Sequence, residues 1–170
     1  MTESAAPDAR LRELLAPVLA KVAELRPQDR REDAEITELE ALIESSFPYR
    51  EEHVQAIGQE IARGVQEGWL CNRGEADSRF SRVSKPSEET HGLSVDCVSM
   101  TGLAVDHTHT LGEVTIGFAA EGQDADAVTF EGRPAGWVFL GPGSRHRPHV
   151  EGGRMNLIYF LPQGAVEWHM

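Results

Sequence analysis

Three histidines and a glutamate in the second half of the chain have the donor types and spacing of a metal site. The segment His107-Thr108-His109-Thr110-Leu111-Gly112-Glu113 sets two imidazoles two residues apart. On a strand, such positions project to the same side, here shared with Leu103 and Val105, whose apolar character predicts an inward-facing surface. Two imidazoles enclosed among apolar groups are costly unless they share a partner, and one divalent cation satisfies both. Gly112 permits a tight turn, after which Glu113 opens the next strand and can bring a carboxylate to the same point. Farther on, Gly141-Pro142-Gly143-Ser144-Arg145-His146 reads as a turn that delivers a third imidazole.

Together His107, His109, Glu113 and His146 offer three nitrogens and one oxygen. Such a set leaves one or two positions open in five- or six-coordinate geometry, as a catalytic site requires. A bare His-x-His recurs by chance, and two strand histidines can simply line a polar rim; the glutamate and the later Gly-x-Gly-x-x-His set this segment apart. His149 is the rival third ligand. It stands three residues from His146, which on a strand means the opposite side, so only one of the two is expected to bind.

Other residues could serve a substrate. Arg82, Arg145 and Arg147 are candidate partners for an anion. Phe118, Trp137 and Tyr159 could line an aromatic pocket, with core packing as the competing role, and the Tyr159 hydroxyl could act as an acid or donor. His53, His91 and His169 fall on a helix, a loop and the tail, where surface positions are expected. No serine or cysteine nucleophile stands with a base, and Gly141-x-Gly143 lacks the strand-to-helix context of a dinucleotide site.

The elements that must position these groups change character near Trp69. Before it, Leu11, Leu14, Leu15, Val18, Leu19 and Val22 recur at helical steps, followed by Ile36, Leu39, Leu42 and Ile43, then Val54, Ile57, Ile61 and Val65 up to Gly68. Three amphipathic helices are predicted over residues 9 to 68. After it come short apolar runs: Phe80 to Ser84, Leu93 to Met100, Leu103 to His109, Glu113 to Phe118, Ala127 to Glu131, Trp137 to Leu140 and Met155 to Leu161. Gly- and Pro-rich turns separate them, and the polar stretches Asn72 to Asp77 and Lys85 to His91 read as loops. The expected architecture is a helical region, 1–68, followed by a small β-barrel or sandwich, 69–170.

Bulk properties exclude several partners. The chain of 170 residues carries 16 basic and 28 acidic side chains, a formal charge of −12, which repels nucleic acid and anionic membrane surfaces. No stretch is long enough to span a bilayer, and the start MTESAAPDARLREL lacks a basic, apolar leader. The 2 cysteines, Cys71 and Cys97, form no disulfide framework, so a reducing, cytoplasmic setting is expected. Exposed sheet edges would suit a homodimer.

His107-x-His109-x-x-x-Glu113 followed by Gly141-x-Gly143-x-x-His146 resembles the two motifs of the cupin superfamily. The resemblance implies a double-stranded β-helix, or jelly-roll, barrel that holds iron, manganese, nickel or zinc. More narrowly, Gly68-Trp69-Leu70-Cys71, Arg79-Phe80-Ser81-Arg82-Val83, Gly136-Trp137-Val138 and Leu157-Ile158-Tyr159-Phe160-Leu161-Pro162, together with the histidine segments, resemble the 4-hydroxylaminobenzoate lyase family. That resemblance implies conversion of an aryl hydroxylamine bearing a carboxylate to 3,4-dihydroxybenzoate and ammonia, with a small aromatic acid as substrate. Two other uses suit the same residues: a metal-dependent dioxygenase, because a three-histidine, one-glutamate site suits iron and dioxygen, and a non-catalytic cupin that binds a small molecule.

Overall fold

In a computed structural model that describes residues 6–169, the helical periodicity of the first third becomes α1 (Ala9–Leu25), α2 (Asp33–Ser46) and α3 (Glu52–Glu67). Residues 1–5, on which part of the reading of the N-terminus rests, lie outside the described residues. A capping box starts α2: the Glu35 carboxylate accepts the Glu32 N–H at 3.1 Å while the Glu32 side chain accepts in return. Gly68, with φ +87°, ends α3 in the left-handed conformation that a glycine adopts without steric cost. No described helix is long and apolar enough to cross a membrane.

Eleven strands follow among the described residues: β1 (Arg73–Glu75), β2 (Ser78–Ser84), β3 (Leu93–Leu103), β4 (His107–His109), β5 (Glu113–Ala119), β6 (Thr129–Phe130), β7 (Arg133–Pro134), β8 (Gly136–Leu140), β9 (Ser144–His146), β10 (His149–Pro162) and β11 (Glu167–Trp168). They form two antiparallel sheets. The larger has the order β1-β2-β3-β10-β5-β8, with β6 also on β10 and β7 on β6; the smaller has the order β11-β4-β9. The two antiparallel sheets make an open β-sandwich rather than the closed barrel expected from sequence.

Alternation along the large sheet divides its two faces. Val95 and Cys97 on β3, Val114 and Ile116 on β5, and Ile158 and Phe160 on β10 join Leu11, Leu15, Val18, Leu39, Ile57 and Ile61 of the helices in one core. The helices therefore cover the back of the sheet, and its other face is left to form the site. Gly58 lets α3 approach closely, since a Cβ there would lie 2.6 Å from the Phe118 ring. Cys71 and Cys97 are free and buried in this core, their sulfurs 3.4 Å apart.

Several expectations are corrected. Residues 73–75 form β1 instead of a loop; both faces of that strand are exposed, so no burial pattern marks it in the sequence. The run Leu103 to His109 is broken, because the chain leaves the large sheet after Leu103 and joins the small one only at His107. Leu103 and Val105 are consequently 53% and 51% exposed and do not share a buried face with the histidines. β10 begins six residues before the predicted Met155, with its register shifted between Val150 and Met155. Gly152 sits in that irregularity at φ +81°, where a Cβ would fall 2.1 Å from the Ala127 carbonyl oxygen. His53 is not a free surface group: its Nε2 lies 2.8 Å from the Leu14 carbonyl, joining α3 to α1.

Ile158 is fully buried between Cys97 on β3 and Ile116 on β5, beneath the helices. Truncation of Ile158 to Ala is expected to cost about 2–5 kcal/mol. Urea unfolding should show a lower midpoint with an unchanged slope.

Candidate functional site

The small sheet assembles the histidines. In the antiparallel pairing of β4 with β9, His107 stands directly opposite His146, and His109 opposite Ser144. Side chains at 107, 109 and 146 thus meet on one side, where the three Nε2 atoms lie 2.8, 3.0 and 3.2 Å apart. The turn through Gly112 (φ +93°) then brings back Glu113, whose Oε2 lies 3.2 Å from His109 Nε2 and 3.7 Å from His146 Nε2. His107, His109 and Glu113 are buried.

Hydrogen bonding fixes what these nitrogens can do. His107 Nδ1 lies 2.7 Å from the Val105 carbonyl and His146 Nδ1 lies 3.1 Å from the Glu131 carboxylate. Both oxygens can only accept, so each Nδ1 carries a proton and each neutral ring turns an Nε2 lone pair toward the common centre. Lone pairs aimed at one another repel unless a cation lies between them. Two nitrogens bound at right angles to one ion, each at about 2.1 Å, stand roughly 3.0 Å apart, whereas tetrahedral ligands stand about 3.4 Å apart. The observed separations are those of nitrogens close enough to share one ion. Glu113 Oε2 and His109 Nδ1 are buried without hydrogen-bond partners, and for Glu113 an ion at the centre would supply one.

Electrostatics point the same way. Burial lowers the His107 pKa, and the neighbouring His109 and His146 lower it further, against the raising effect of its bond to Val105. For Glu113, burial works to raise the pKa, but the closeness of His109, and then of His146 and His107, outweighs it and holds the carboxyl below its ordinary range. Burial first, then the charges of Asp96 and Glu113, push the Tyr159 phenol well above its usual value, so it stays protonated.

His107, His109 and Glu113 line a cavity of about 600 Å³ between the sheets. A polar row crosses its floor: Arg82 on β2 is paired with Asp96 on β3, Asp96 with Tyr159 on β10, and Tyr159 with Thr115 on β5. Asp96 accepts from Arg82 Nε at 2.9 Å and from Ser94 Oγ at 3.1 Å. The Thr115 hydroxyl is buried without a partner. Phe80, Val105 and Trp168 line the same cavity and are among the most exposed apolar residues; the Trp168 ring centroid is 5.0 Å from that of His107.

Of the residues named from sequence, His107, His109, Glu113 and His146 come together, and Arg82 and Tyr159 line the same cavity. Others stand elsewhere. Phe118 and Trp137 face the helices instead of lining the pocket: Phe118 packs on Tyr49 with ring centroids 5.7 Å apart, and Trp137 Nε1 donates to the Phe47 carbonyl at 2.9 Å. Phe118 is five residues from Glu113, an odd step that turns it to the opposite face. Arg145 lies outside the cavity with its guanidinium bound to Asp106, and Arg147 Nε donates to the Ala104 carbonyl. His149 turns away from the triad to pair with Glu151 at 3.2 Å. Sequence reasoning passed over Arg73, Asp96, Thr115, Trp168 and Glu131; the alternation of β3 and β5 could have revealed Asp96 and Thr115.

Residues 16–168 match the family model for PnbB, 4-hydroxylaminobenzoate lyase. The chain is 28% identical over 144 residues to a 4-hydroxylaminobenzoate lyase of Pseudomonas putida, covering 76% of this chain and 82% of the relative. It is 25% identical over 138 residues to the enzyme of that name from Nocardioides sp. (strain LMS-CY), covering 77% and 81%. Among solved structures, an RmlC-like cupin protein from Ralstonia eutropha JMP134 aligns with 11% identity and a TM-score of 0.42 over 56% of this chain and 62% of that one. With a sequence match that runs from within α1 to β11, the chain belongs to the 4-hydroxylaminobenzoate lyase family.

Proposed function

We propose that the protein is a metal-dependent lyase that converts 4-hydroxylaminobenzoate and water to 3,4-dihydroxybenzoate and ammonia. The convergence of three Nε2 atoms and the Glu113 carboxylate beside the cavity carries this reading, together with the family to which the chain belongs. His107, His109, His146 and Glu113 would hold one divalent ion, iron, manganese, nickel or zinc. Such an ion supplies Lewis acidity at the N–O bond and lowers the pKa of water. In the balanced reaction the N–O bond breaks, the ring gains oxygen at two carbons, and the nitrogen leaves as ammonia, so no external oxidant is consumed.

The chain's own groups account for orientation and proton movement. Arg82 is held through Nε by Asp96, and its two terminal nitrogens have no protein partner among the described residues. They form a fork for the substrate carboxylate. From Arg82 to Thr115 the row crosses three strand spacings, roughly 14 Å between backbones. A ring substituted at opposite ends fits along it, with its nitrogen at the triad. Tyr159, two strand spacings from Arg82 and one from Thr115, is protonated and donates to the departing nitrogen, and Glu113, held ionised, accepts a proton in return.

The test is turnover of 4-hydroxylaminobenzoate by metal-loaded protein, followed by ammonia release and by dioxygen consumption. Stoichiometric ammonia and catechol acid without oxygen uptake is the expected result; oxygen uptake, or ligand binding without product, would replace the lyase reading by one of the alternatives. His109→Ala should lower metal content in elemental analysis and cut turnover by more than about 100-fold. Tyr159→Phe should lower kcat by about 100-fold or more with metal content unchanged, while Arg82→Ala should act on KM, raising it by roughly 10- to 100-fold.

A further inference from the structure

Glu131 lies outside the cavity and outside the histidine motifs, yet its carboxylate makes two contacts that bear on the triad. Oε1 lies 3.1 Å from His146 Nδ1 and accepts the backbone N–H of His149 at 3.2 Å. The Glu131 N–H in turn donates to the His149 carbonyl at 3.0 Å. We propose that Glu131 is a positioning residue for the metal centre, which fixes the tautomer and direction of His146 and ties down the strand break behind it. The inference rests on the reading of the triad as a metal site.

Three observations carry it. The backbone does not explain a glutamate here: Glu131 and Gly132 have φ +53° and +75°, the paired positive values of a tight hairpin turn that favours Asn, Asp or Gly at the first position. A longer side chain in that conformation is kept at some conformational cost. Next, β9 ends at His146 and β10 begins at His149, with Arg147-Pro148 between them. Pro148 has no N–H to donate, so the gap is tied to the neighbouring chain only through the Pro148 carbonyl, which accepts the Ala104 N–H at 2.9 Å, and the Arg147 side chain, whose Nε donates to the Ala104 carbonyl. One carboxylate oxygen of Glu131 holds both ends of the gap. Finally, His146 is the least buried of the three histidines and comes from a different strand than the other two, so packing alone constrains it least. A carboxylate on the far nitrogen of a ligating imidazole fixes the ring and raises its basicity, an effect worth about 10- to 100-fold in metal affinity.

The left-handed backbone supplies a clean control. Glu131→Gly removes the carboxylate but suits the turn, so a role in the turn alone predicts no loss. Cobalt(II) titration, read by the visible absorption of the bound ion, should show one site in the unaltered protein. Glu131→Gly should weaken it by about 10- to 100-fold and change the spectrum, with a thermal midpoint within a few degrees of the original. Glu131→Gln, whose amide oxygen still accepts from Nδ1–H, should recover most of the affinity. Equal cobalt affinity and spectrum in the unaltered protein and Glu131→Gly would overturn the role of Glu131 and leave the metal site standing. Absence of cobalt binding by the unaltered protein would overturn both.

Discussion

His107 and His146 face each other across the β4–β9 ladder, and that register is what gathers histidines separated by 39 residues onto one point. A shift of one residue in the pairing would turn one imidazole to the other side of the small sheet and leave His107 and His109 without their third partner. Both strands are only three residues long, so the ladder alone is a weak constraint. Other bonds reinforce it. Gly143 N–H donates to the His109 carbonyl at 2.8 Å, and β11 pairs on the free edge of β4, with Trp168 opposite His107.

The large sheet separates stability from chemistry by face. Odd and even positions on β3, β5 and β10 go to opposite environments: Val95, Ile116 and Ile158 go to the helix-backed core, and Asp96, Thr115 and Tyr159 to the cavity floor. A polar group on the floor of a sheet this well buried would be expensive on both faces, and the helices make it tolerable by filling the other face with apolar contacts. Arg82 and Asp96 neutralise one another at the outer end of the row, while Glu113 at the inner end is kept ionised by imidazoles.

How far the sequence discloses this depends on whether a signal is local. The three helices were legible because Val54, Ile57 and Ile61, and their counterparts in α1, repeat at the helical period and end at residues such as Gly68. The histidine segment was legible because its donors are close together in the chain. Leu103 and Val105 misled because alternation was carried across a point where the chain changes sheets, and β10 was foreshortened because its bulge at Gly152 interrupts the period of two. Residue type alone suggests Trp137 and Phe118 for a pocket, whereas parity along their strands sends them to the helices. Asp96, Thr115 and Glu131 gain their meaning from cross-strand or turn contacts, which no single stretch of sequence announces.

The cavity is uneven in a way that matters for how the protein can diversify. Its floor is made from β3, β5 and β10, where nearly every side chain is enclosed, but its rim is made from Phe80 on β2, Val105 in the link between β3 and β4, and Trp168 on the two-residue β11, all about half open to solvent. Surface substitutions of that kind usually alter folding free energy by less than about 0.5 kcal/mol. What the cavity admits can therefore drift by changes at the rim, with the histidine cluster and the core inherited intact.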